Sequence, residues 1–222
     1  MRRIKFPIFL LVMILVFSGC SNKEPTTLDN SGSTNGTVGD NVVNESENEN
    51  DGEIPLSDLF MPDGSKAHYL GEGNEFAELD IQVTRPFENY IVIHENNGGS
   101  LVRHIYKIES DKISILEEMT VELQKDFPSQ EELDKLEPSG VYLQKPLETG
   151  TTFGTWTIID TETTIDTPYK KFDHAIVIEQ KTEDYTNRKY IVEGYGEVKR
   201  ESIMHMDDGE VVVTSTLSTI EE

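Results

Sequence analysis

The chain has 222 residues and a formal net charge of -23, from 42 acidic against 19 basic residues. A surface that negative repels nucleic-acid phosphates and anionic headgroups, which argues against nucleic acid as a partner. The one cysteine can make no internal disulfide, so the folded part must stand on its apolar core.

The amino terminus reads MRRIKFPIFLLVMILVFSGC. Arg2, Arg3 and Lys5 form a positive start, Phe6–Phe17 is an apolar run, and the small residues Ser18 and Gly19 precede Cys20. These are the parts of a secretion signal in their required order. The run is shorter than the roughly 20 residues of a comfortable membrane span. Ser18-Gly19-Cys20 resembles the bacterial lipobox, with Phe17 standing where that pattern prefers leucine. The resemblance implies that residues 1–19 are removed and that Cys20 carries two or three acyl chains of the palmitate type. Each buried methylene then contributes ~0.8 kcal/mol, enough together for stable attachment at the outer face of the cell membrane. Removal takes three of the 19 basic residues and none of the 42 acidic ones, so the net charge moves from -23 to -26. Residues 20–53 are rich in Asn, Ser, Thr, Gly and Glu and poor in large apolar side chains. Such a segment cannot offset its ordering entropy and reads as a flexible tether, with a reach of roughly 30–35 Å.

Residues 54–222 read as a mainly β domain, a curved antiparallel sheet with one short helix, either undivided or in two packed halves, 54–127 and 138–222. Short runs of β-branched and aromatic residues alternate with turn residues. Ala67–Leu70 and Phe76–Val83 flank Gly71-Glu72-Gly73-Asn74, and Tyr90–His94 and Leu101–Ile108 flank Asn96-Asn97-Gly98-Gly99. The second of these is a strong hairpin signal, because Asn and Gly accept positive φ. Ile113–Met119 gives another strand. Ser129 followed by Glu132 has capping-box spacing and predicts a helix over 130–136. Trp156–Ile159, Thr163–Thr167, His174–Gln180, Lys189–Val192, Glu197–His205 and Val211–Leu217 are the later strands, the last two joined at Asp207-Asp208-Gly209.

Several segments resemble a family of uncharacterised lipoproteins of Gram-positive bacteria. They are Gly71–Ala77, Asn96–Gly99, Lys145-Pro146-Leu147 with Gly150 and Trp156, Lys189–Lys199, and Ser215–Ile220. Relatives carry leucine or a similar apolar residue where this chain has Glu197. The resemblance implies a β-rich secreted domain and no particular activity.

No motif selects a catalytic residue, cofactor or metal. Gly71-x-Gly73 lacks the lysine, the third glycine and the following helix of phosphate loops, and reads as a turn; Gly194-x-Gly196 reads as a bulge or a close backbone approach. His68, His94, His104, His174 and His205 have no metal-ligand spacing. Glu47, Glu49, Asp51, Gly52, Ile54 and Asp58 fall at calcium-loop offsets, but without flanking helices or the final glutamate. Tyr69, Tyr90, Tyr142, Trp156, Tyr190 and Tyr195 either line a ligand groove or fill the core. The expected function is a non-catalytic binding or structural module of the cell envelope. It would be anchored to the membrane through Cys20 and have an apolar small ligand or an envelope protein as partner. The alternative is an envelope hydrolase using surface carboxylates.

The anchoring reading predicts an intact mass equal to the chain from Cys20 plus its acyl groups. Cys20→Ser should instead keep residues 1–19 and gain no lipid mass; an unchanged mass in that variant would contradict lipidation.

Overall fold

A two-residue period with one apolar face makes a strand bury one side against a core, and here twelve strands do so in one sheet. The computed structural model describes residues 53–122, 127–207 and 209–221, all within one compact unit, Glu49–Glu222. Cys20, the signal and nearly all of the linker lie outside the described residues.

The strands are β1 (Lys66–Glu72), β2 (Leu79–Phe87), β3 (Tyr90–Asn96), β4 (Leu101–Ile108), β5 (Lys112–Thr120), β6 (Gly140–Gln144), β7 (Thr152–Phe153), β8 (Trp156–Asp166), β9 (Lys171–Lys181), β10 (Tyr185–Val192), β11 (Gly196–Met206) and β12 (Gly209–Glu221). Their spatial order is β6-β5-β4-β3-β2-β1-β12-β11-β10-β9-β8-β7. The first and last strands therefore pair in the middle of the sheet, with Lys66 opposite Glu221 and Tyr69 opposite Leu217. The two edges belong to consecutive strands, β6 and β7, whose Cα atoms come within 8 Å of one another. The sheet thus curls into a nearly closed antiparallel barrel with its seam between β6 and β7. One core serves both halves of the chain, drawing Tyr69, Val83 and Ile91 from the first and Ile158, Ile178 and Leu217 from the second.

The segment before β1 fills one end of the barrel. A 3-10 turn, Leu56–Leu59, leads into Phe60 and Met61, and Leu59 is fully buried. The Phe60 ring lies 5.4 Å from that of Tyr106 on β4 and 5.8 Å from that of Tyr142 on β6. On the far wall, a Cβ on Gly196 of β11 would stand 3.3 Å from the Leu59 carbonyl oxygen. The Arg85 guanidinium fastens this plug by donating to the carbonyl oxygens of Ser57, Phe60 and Met61 at 3.0, 2.9 and 3.0 Å.

The helix α1 (Gln130–Leu133) has the expected capping box, with the Ser129 N–H donating to Glu132 Oε2 at 2.8 Å. It ends three residues earlier than the sequence pattern suggests. It covers the outer face of β3 to β5, where Leu133 packs with Tyr90, Val92, Ile105 and Leu116.

Two expected strands need correction. Phe76–Glu78 belongs to a loop and not to β2, because Asn74 Oδ1 accepts the Phe76 N–H and Ser215 Oγ donates to the Ala77 carbonyl at 2.6 Å. That loop crosses Gly71 so closely that a Cβ there would lie 2.0 Å from Glu78 N. Trp156–Ile159 and Thr163–Thr167 merge into β8, whose irregular register is held by Asp160 accepting from Glu162 N and Thr163 Oγ1 at 2.9 and 2.8 Å. The strands β6 and β7 and the plug were not anticipated.

If the plug belongs to the core, Leu59→Ala should lower unfolding free energy by about 2–5 kcal/mol in urea titrations. A loss under about 0.5 kcal/mol would make the plug peripheral.

Candidate functional site

Strict alternation would put Glu197 and Arg200, three residues apart, on opposite faces of β11. A bulge prevents this: Tyr190 pairs with Lys199 and Ile191 with Glu197, leaving Val198 as the extra residue. Both side chains then face the lumen. A second bulge does the same on β5, where Tyr106 faces Ile115 and Ile105 faces Glu117, so that Glu118 lies opposite His104.

Inside the barrel, Arg200 donates Nη1 and Nη2 to the two carboxylate oxygens of Glu95 at 3.1 and 2.8 Å, and Nε to Glu197. Glu95 is on β3 and Arg200 on β11, four strand positions away, so this bidentate pair bridges the lumen. Lys189 Nζ lies 3.1 Å from the second Glu197 oxygen. It also sits over the rings of Tyr142 and Trp156, 5.1 and 5.8 Å from their centroids, tying the two sides of the seam. Tyr69 Oη donates to the Glu197 carbonyl oxygen at 2.7 Å.

These groups border a cavity of about 260 Å³ between the plug and the hairpin end of the barrel. Tyr106 and Tyr142, 5.0 Å apart, form an aromatic wall with Phe60. His104 lies parallel to Tyr106 at 6.3 Å, with Nδ1 3.7 Å from Glu118. A smaller adjoining cavity of about 190 Å³ shares Lys189 and Arg200 and reaches Trp156, Asn187 and Ser202. Arg200 borders both cavities and keeps 36% of its side-chain surface accessible, while its partners Glu95 and Glu197 keep 14% and 12%.

Burial favours the neutral acid of Glu197, but Arg200 and Lys189 outweigh it and hold the group at about 2. Burial works against the Arg200 charge and is overcome by Glu197 and Glu95, which raise its pKa well above the usual value. His104 is pushed below the ordinary histidine range by burial, against the pull of Glu95 and Glu118. Burial likewise raises Tyr69, Tyr106 and Tyr142, keeping their hydroxyls protonated. Glu95 and Glu197 therefore act together as counter-ions to Arg200.

Of the aromatic candidates, Tyr69, Tyr142 and Tyr195 line the main cavity and Trp156 the adjoining one. Tyr90 packs outside the barrel and donates to Asp134, while Tyr190 donates to Glu201 at 3.0 Å on the face opposite Lys189. Tyr106, Phe60, Glu95, Glu118, Lys189 and Arg200 escaped the sequence reading. A run of charges at Glu197, Lys199, Arg200 and Glu201 inside a strand was the available signal. The histidines are dispersed: His68 lies beside Asp80, His174 beside Glu162, His205 beside Glu210, and His94 is under the Phe127 ring. Among the described residues no three His, Cys, Asp or Glu side chains converge as a metal site. Glu47, Glu49, Asp51 and Gly52 of the calcium-loop pattern lie outside the described residues. Gly73 has φ of 96° and is followed by a loop and strand, as a turn glycine is.

No protein-family profile matches the chain, and no curated protein sequence matches it. Two solved structures are similar. One, from Bacteroides fragilis, is provisionally described as an exported protein with a YmcC-like fold; it is 14% identical, with a TM-score of 0.47, over 73% of this chain and 98% of that one. The other, provisionally described as a lipoprotein from Parabacteroides distasonis, is 12% identical, with a TM-score of 0.44 over the same shares.

A carboxylate held at about 2 when folded and near 4.5 when free contributes stability above its ordinary range, and that contribution is lost as pH falls from 4.5 toward 2. The difference corresponds to roughly 3 kcal/mol. Glu197→Gln should lower stability near neutrality and flatten its pH dependence over that acid window, as read by urea midpoints. An acid slope equal to the parent's would mean that Glu197 is not ion-paired.

Proposed function

We propose that the chain is a non-catalytic binding module of the bacterial cell envelope, held to the outer face of the membrane by the lipid on Cys20 and taking a small molecule into its barrel. The observation that carries this reading is the aromatic-walled cavity of about 260 Å³ between the plug and the hairpins. Stable barrels of modest size fill their lumen with side chains, or leave room when a ligand is held there. The polar groups converging on this space, Arg200 and Lys189 with their carboxylates, are the kind that fix a ligand's orientation. The two buried carboxylates share one guanidinium, which suits a counter-ion role better than the separate acid and base of a hydrolase. The strongly negative chain, at -23, supports a partner other than nucleic acid.

The lipid-anchored chain, purified from its host's membranes, should carry a bound small molecule in native mass spectra. Val102→Trp, which fills the cavity from its wall, should abolish that added mass while leaving the far-ultraviolet circular dichroism unchanged. A parent protein with no adduct in any preparation would overturn the ligand reading.

A further inference from the structure

We propose that the barrel interior selects a ligand carrying a positive charge on an apolar body, a small primary or quaternary ammonium compound. The proposal rests on the binding reading above and adds the chemistry of what is bound.

Charge balance in the cavity carries the argument. Its ionised lining residues are Glu95, Glu118 and Glu197 against Lys189 and Arg200, three carboxylates to two cations. Both cations are spoken for. Arg200 uses Nε, Nη1 and Nη2 on Glu197 and Glu95, and Lys189 is paired with Glu197 beneath two aromatic rings. An anionic ligand would have to displace one of these carboxylates and leave it buried without a partner, at considerable cost. Glu118 is different. Among the described residues its ion-pair partner is His104, at 3.7 Å, an imidazole whose charged form burial disfavours. The cavity therefore carries at its rim one largely exposed carboxylate, with no lysine or arginine partner among the described residues, next to an aromatic wall.

That wall suits a cation. His104 lies flat on Tyr106, and Tyr106, Tyr142 and Phe60 stand within 5.8 Å of one another. The ring of Tyr142 already accepts the ammonium of Lys189 on one side, so the same interior surface stabilises a positive charge. Rings and a carboxylate together recognise alkylammonium groups. At about 260 Å³ the space admits a compact ligand rather than a long acyl chain. The chain's charge of -23 adds long-range attraction for cations.

The test is isothermal titration calorimetry on the full lipid-anchored chain in a non-ionic detergent with three probes of one shape: phenethylammonium chloride, 2-phenylethanol and sodium 3-phenylpropanoate. Phenethylammonium should bind about tenfold or more tightly than the other two. Glu118→Gln should remove about that advantage; with 66% of the Glu118 side chain exposed, this change leaves the packed core alone. Trp156, the one tryptophan of the chain, borders the adjoining cavity and gives an independent fluorescence readout. Equal binding of the alcohol or tighter binding of the carboxylate overturns the charge preference and leaves the cavity reading standing. An ammonium affinity unchanged in Glu118→Gln also overturns the proposal. Absence of binding by all three probes overturns the proposal and counts against the cavity reading as well.

Discussion

A charge that enters the lumen of a small barrel has to be balanced there, because water is scarce and the local dielectric is low. Arg200 is where this chain meets that constraint. Its guanidinium reaches from β11 to Glu95 on β3 and back to Glu197 on its own strand, with Lys189 completing the set. The rest of the interior is arranged around this cluster. Aromatic rings line the space beside it, the plug closes the barrel below it, and Glu118 stands at the cavity rim with most of its side chain exposed.

Two backbone features make the arrangement possible. The bulge at Val198 turns Glu197 and Arg200 to the same side, and the bulge at Leu116 does so for Ile115 and Glu118. Closure through the terminal strands then leaves the seam between β6 and β7, where ring and ammonium contacts of Tyr142, Lys189 and Trp156 take over from ladder hydrogen bonds. A seam built from side chains sits next to the cavity, which ties barrel closure and the candidate site to the same residues.

What could be read from the sequence was local. The Asn96–Gly99 hairpin announces itself because Gly98 needs φ of 77° and the Asn96 and Asn97 side chains accept from the turn amides. The Ser129–Glu132 capping box is equally local. The pairing of β1 with β12 is not, since nothing near Lys66 refers to Glu221. The plug was hidden for the same reason: Leu59 and Phe60 look like any short apolar run until the lumen they fill exists. Arg200 was obscured by its bulge, because a two-residue period assigns it to the wrong face. Glu197 is noticeable as a charge within an otherwise strand-like run, yet only the folded barrel explains how it is tolerated.

The central claim is that balance among the lumen charges, rather than their number, governs both the stability of the barrel and what it admits. The most direct measurement compares urea unfolding of Arg200→Met with that of the fourfold variant Glu95→Leu, Lys189→Met, Glu197→Leu, Arg200→Met. The single change should cost about 3–5 kcal/mol, because it strands Glu95 and leaves Glu197 with Lys189 alone, and the fourfold one should cost little or nothing, because it strands none of the four. A fourfold variant as unstable as the single one would contradict it.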